Sequence, residues 1–123
     1  MGDGVTKTDI ATNQSDSLTL HHFDHPSLVL LSKLLEGNNY GQWSHIMRIA
    51  LSTKNKLGFI NGTINAPAKI DAKFPIWECC NHMIFSWILN SIHSDIAGSV
   101  IYAESAIDVW NDLHDRFSQG NDS

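Results

Sequence analysis

Residues 74–92 read FPIWECCNHMIFSWILNSI, the most apolar run of the chain, and they begin as a helix begins. Pro75 suits the first helical position, where a missing N–H costs nothing. Trp77, Cys80, Ile84, Trp87 and Ile88 recur at helical spacings, while Ile76, Met83, Phe85 and Leu89 spread the apolar surface nearly all the way round. Such a helix must be covered on most sides. At 1.5 Å per residue it is about 28 Å long, but Glu78, Asn81, His82 and Asn90 interrupt any continuous apolar span, so the run reads as a buried central helix of a small domain and not as a membrane span.

Working outward, three further helical patterns flank it. From Tyr40 to Leu57, apolar residues at Trp43, Ile46, Met47, Ala50, Leu51 and Leu57 mark one face, with Gln42, Arg48, Lys54 and Lys56 on the other. The Gly37-Asn38-Asn39 cluster supplies a turn and an N-cap, the lysines complement the helix's negative end, and Gly58 is placed to stop it. On the C-terminal side, Ser94 or Asp95 caps a short helix through Ile96, Ala97, Val100 and Ile101. Ser105 and Asp108 form a capping-box-like pair ahead of the stripe Val109, Trp110, Leu113 and Phe117.

Two segments read as extended. Leu28 to Leu35 is a short apolar run whose length favours a buried strand. Phe59-Ile60-Asn61-Gly62-Thr63-Ile64 sets an Asn-Gly pair between apolar couples, the signal of a tight hairpin. The expected fold is therefore mainly α, a small bundle of about four helices near 39–57, 75–92, 95–102 and 105–118, with a short N-terminal strand, a β-hairpin, or both. Residues 1–20, polar and without apolar period, read as a disordered leader; 21–121 is the domain, and 122–123 a tail.

A length of 123 residues is enough for one core without staples. At 17% the charged fraction is low, which suits a protein that meets other proteins. The net charge of −5 is unevenly spread. Residues 28–66 hold four basic groups and one acid, a net of +3, and residues 67–123 hold three basic and eight acidic groups, a net of −5. Only the middle third offers phosphates a welcome, so RNA binding is at most weak. Its candidate contacts are Lys33, Arg48, Lys54 and Lys56, with Tyr40 or Trp43 as a stacking ring.

The candidates for chemistry are few. Cys79 and Cys80 are adjacent and cannot bond each other without strain, so they read as free thiols of a reducing compartment. MGDGVTKTDI has no apolar segment of a signal peptide. The asparagines at 13, 61 and 121 fit the glycosylation pattern only in composition, and MGDGVT is a short, common likeness of a myristoylation signal. His21, His22 and His25 invite a metal reading, but no cysteine or spaced second group completes a tetrahedral set. Cys79 or Cys80 with His82 is the only local thiol–imidazole candidate, and cysteines on a buried helix are ordinarily small hydrophobes. No catalytic residue, cofactor or metal is expected.

Gly37-Asn38-Asn39-Tyr40-Gly41-Gln42-Trp43, Met47, Ala50-Leu51-Ser52 and Lys54-Asn55-Lys56-Leu57-Gly58-Phe59-Ile60-Asn61-Gly62 resemble the N-terminal domain of copia-type LTR retrotransposon Gag polyproteins of plants. The likeness continues through Trp77, Cys80-Asn81, Ser86-Trp87-Ile88-Leu89-Asn90-Ser91, Ile96-Ala97, Tyr102-Ala103, Val109-Trp110 and Arg116-Phe117-Ser118-Gln119-Gly120-Asn121, and His25-Pro26 also fits. It covers about residues 21–121. The resemblance implies Gag–Gag contacts in a cytoplasmic virus-like particle enclosing element RNA, with copies of the same protein as partners and neither a membrane nor a small-molecule substrate. The family's zinc knuckle, protease, integrase and reverse transcriptase regions do not occur in these 123 residues, so their activities are not carried over. An alternative is a domesticated Gag remnant with a host interaction role. Four Trp are more than one small core requires, and Trp is a typical interface anchor. By stripe position Trp43, Trp87 and Trp110 look like core, leaving Trp77 as the expected exposed anchor.

Overall fold

Five helices account for most of the computed structural model, which describes residues 17–21 and 23–121. They are α1 (Tyr40–Thr53), α2 (Gly58–Asn61), α3 (Phe74–Asn90), α4 (Ser94–Val100) and α5 (Ala106–Asn121). The last helix, α5, packs against α1, α2 and α3. The apolar run at 74–92 is thus one wall of a core that α5 closes.

Helix α1 buries Tyr40, Trp43, Ser44, Met47 and Leu51. Ile46, expected on that face, is 43% exposed. The stripe is centred on the 40–44–47–51 row, one step round from the expected one. Helix α3 buries Cys80, Asn81, Ile84, Trp87 and Ile88. The buried Asn81 is not a misfit, because its Oδ1 accepts the backbone N–H of Ala106 at 2.9 Å, one of the unpaired donors that open α5. Ser105 Oγ accepts from the Asp108 N–H at 3.2 Å, as the capping pattern predicts. Helix α4 is capped by neither Ser94 nor Asp95. His93 holds the N-cap and its Nδ1 accepts from the Asp95 N–H.

The expected hairpin at 59–64 is a helical turn instead. Gly62 has φ 88°, the left-handed conformation that an Asn-Gly turn and a helix C-cap both require, and with Phe59 and Ile60 buried against the bundle the cap is the reading that holds. Helix α1 ends earlier than Gly58. Asn55 takes φ 60°, its N–H bonds Ser52 O at 3.0 Å, and the Lys56 N–H bonds Leu51 O at 2.8 Å. That pair is a Schellman ending. The expected strand at 28–35 survives as one parallel bridge, Leu35 to Ile92, in which the Leu35 N–H bonds Ser91 O and the His93 N–H bonds Leu35 O, both at 2.9 Å. Ile92 follows the end of a helix, so the ladder has no strand to extend along.

Residues 17–20, assigned to the leader by their polarity, join the body. Ser17 is buried, and Leu18 and Leu20 pack against the core. The rest of that leader, with the 1–16 motifs, lies outside the described residues.

Candidate assembly surface and the strap beneath it

Residues 17–21 and 23–35 run over the helices as a strap with little secondary structure of its own, so its backbone acceptors need partners from elsewhere. Side chains of α3 and of the α1 ending supply them. Lys56 Nζ donates to Thr19 O at 2.7 Å, Cys80 Sγ to Leu18 O at 3.3 Å, and Trp87 Nε1 to His25 O at 2.9 Å. Asn90 Nδ2 donates to Pro26 O at 2.7 Å and to Leu28 O at 3.1 Å. One ion pair joins them, Lys54 Nζ to Asp24 Oδ1 at 2.7 Å. Burial pushes the Asp24 carboxyl up, but the Lys54 hydrogen bond, the His21 N–H and the Lys54 charge outweigh it and hold the group below its ordinary value.

The Gly37–Trp43 motif closes the far end of the strap. Gly37 has φ 97°, and a Cβ there would sit 3.6 Å from Phe117 Cε1. Asn39 does not cap α1 with its side chain. It staples the preceding turn, accepting from the Glu36 N–H at 2.9 Å and donating to Leu34 O at 3.0 Å. Tyr40 stacks on Phe117 with ring centroids 6.4 Å apart and lies 3.4 Å from His114 Nδ1 through its hydroxyl. Trp43 stacks on Trp110 at 5.7 Å and donates to Ser91 O at 2.9 Å. The motif thus locks the strap, α1 and α5 together.

The other singled-out residues fall as follows. Trp43, Trp87, Met47 and Leu51 are buried, and Leu57, Leu89, Trp110 and Phe117 are packed against the core from partly buried positions. Trp77 is no exposed anchor. It is half-buried between Phe59 at 6.4 Å and Phe74 at 5.9 Å, because the turn at 58–61 brings Phe59 over the start of α3. The four candidate RNA cations do not share one open surface. Lys56 is fully buried, since the Schellman ending directs inward a position where a hydrophobic side chain ordinarily folds back, and Lys54 serves Asp24 and sits 5.2 Å over the Trp87 ring. Only Lys33 and Arg48 remain exposed.

Nothing in the thiols is arranged for nucleophilic work. Burial pushes the Cys80 thiol up, against the pull of the Lys56 charge, the reverse of activation, and Cys79 and His82 are exposed. Among the described residues no three His, Cys, Asp or Glu side chains converge as metal ligands, and His22 lies outside them. No described helix is long and apolar enough to cross a membrane.

What the surface does offer is exposed apolar side chains, two of which, Ile46 and Ile101, belong to stripes that the sequence reading turns inward. Ile46 and Ile49, three apart on α1, are 43% and 51% exposed. Ile101 and Tyr102, just after α4, are 50% and 93% exposed. The signal was available for α1, where positions 46 and 49 lie off the Tyr40–Leu51 row.

Residues 21–68 match the family model for the Gag-polypeptide of LTR copia-type. That segment of the chain is similar to a copia-type Gag polypeptide. No curated protein and no solved structure matches it. The matched segment contains most of the strap, its Lys54 and Lys56 tethers, all of α1 and α2, and the Gly37–Trp43 motif. The match therefore takes in the Lys54 and Lys56 tethers, while the Cys80, Trp87 and Asn90 tethers lie beyond it.

Proposed function

We propose that this Gag-like chain is a non-enzymatic assembly domain that contacts further copies of itself in a cytoplasmic virus-like particle enclosing the element's RNA. The family match supports a structural role, and the exposed Ile46, Ile49, Ile101 and Tyr102 supply apolar surface for such contacts. Repetition of one contact between identical chains is what builds shells and filaments. The polar tethers have a structural task already, since Lys54, Lys56, Trp87 and Asn90 hold the strap.

The test is sedimentation equilibrium of the full chain over a wide concentration range. A weight-average mass that rises reversibly below about 1 mM is expected for a weak contact that depends on avidity. A strict monomer throughout that range overturns the reading.

A further inference from the structure

Two separate places on the surface complement each other. The first is a groove of about 210 Å³ between the strap and α1, lined by Leu30, Leu31, Trp43 and Ile46, with Lys33 and Gln42 also at its walls. Lys33 is exposed and, among the described residues, in no ion pair. The second is the turn between α4 and α5, where Ile101 and Tyr102 project and Glu104 follows two residues on. Glu104 is also exposed and, among the described residues, unpaired. One place is concave, apolar and basic at its edge; the other is convex, apolar and acidic at its edge.

We propose that the Ile101–Glu104 turn of one copy seats in the Leu30–Trp43–Ile46 groove of a second copy, the Tyr102 ring entering the groove and the Glu104 carboxylate meeting Lys33. This rests on the self-association reading and adds which surfaces carry it. An aromatic side chain filling an apolar pocket is the usual centre of a binding hot spot, while a pair at the rim sets register and rate more than affinity. Groove and turn are different patches of one chain, so the contact is head-to-tail and leaves a free groove and a free turn at the ends. It propagates into a ring or an open chain and does not stop at a dimer.

Sedimentation velocity of the full chain tests it, with circular dichroism to confirm the fold of each variant. Tyr102→Ala and Ile46→Asp are each expected to weaken association at least ~10-fold, as loss of a hot spot does. Lys33→Glu and Glu104→Lys are each expected to weaken it about 3-fold, the size of a rim pair. Mixing these last two restores association, because in an alternating chain every junction pairs opposite charges, the native way round at one and swapped at the next. Wild-type association that neither Tyr102→Ala nor Ile46→Asp disturbs overturns the assignment of surfaces while leaving self-association standing. Loss with Ile46→Asp but not with Tyr102→Ala means that another segment or partner fills the groove, and overturns it too. A wild-type chain that stays monomeric overturns both readings.

Discussion

Lys54 Nζ stands 2.7 Å from Asp24 Oδ1, and the Asp24 side chain is only 1% exposed while Lys54 is 25% exposed. The pair fastens the strap to the end of α1 across the face of Trp87, whose ring lies 5.2 Å from the ammonium. A carboxylate this enclosed is tolerable only because the ammonium and the His21 N–H satisfy it. Removing either partner strands the other.

Asp24→Asn keeps the size of the side chain and removes its charge. It is expected to cost about 1–3 kcal/mol in urea unfolding, the scale of a hydrogen bond to a charged group. Because the folded carboxyl is held below its ordinary value, the stabilisation is present above the unfolded pKa and is lost as pH falls through the folded one. The wild-type urea midpoint should therefore drop on acidification below about pH 4, and the Asp24→Asn midpoint should drop less. Parallel pH profiles for the two proteins would show that the pair does not contribute.

Trp87 holds the strap through a hydrogen bond and holds the core through its bulk. Trp87→Phe removes the bond to His25 O and part of the ring, and is expected to destabilise by about 1–3 kcal/mol. Trp87→Ala, which also opens a cavity at a fully buried position, should cost about 3–5 kcal/mol. Hydrogen exchange locates the effect. In Trp87→Phe, amides in residues 23–35 should exchange faster while those of α5 keep their protection. Uniform acceleration across the chain would mean that the strap and the bundle open as one unit.

The helices were legible because their apolar periodicity and end signals are local. Pro75 opening α3 and Ser105 bonding the Asp108 N–H needed no knowledge of the rest of the fold. The strap was not legible, because what fixes it is the reach of Lys54 to the Asp24 carboxylate, and of Lys56, Trp87 and Asn90 to carbonyls, some thirty to sixty residues away. Lysines late in a helix read as solvated charges, and nothing before the chain folds says that a Schellman ending will turn Lys56 inward. Asn61-Gly62 misled for a different reason, since a left-handed residue serves a hairpin and a helix end alike. In the sequence Trp77 stands as the exposed anchor by elimination among the four Trp, and stripe position gives no sign of the turn that brings Phe59 over it.

Gly37 tests the lock between strap, α1 and α5. Its φ of 97° is costly for any side chain, and an added methyl would also meet Phe117 at 3.6 Å, an ordinary contact distance. Strain and not collision is thus the expected penalty of Gly37→Ala, about 1–3 kcal/mol. The loss should appear as a lower urea midpoint with an unchanged slope, because the surface exposed on unfolding stays the same. An unchanged midpoint would mean that the turn relaxes to a left-handed geometry a methyl tolerates.

The two adjacent cysteines should differ sharply in reactivity. Cys79 is exposed. Cys80 is buried, donates to Leu18 O at 3.3 Å and has its thiol pushed up by burial, so at neutral pH it is protonated and shielded by the strap. A colorimetric disulfide reagent is expected to titrate one thiol per native chain rapidly and the second in a slow phase that becomes fast in denaturant, with Cys79→Ser abolishing the rapid phase. Release of the strap exposes Cys80, so Asp24→Asn should speed the slow phase in proportion to how often the strap lifts. Two equally fast thiols in the native protein would mean that residues 17–20 do not stay seated on α3.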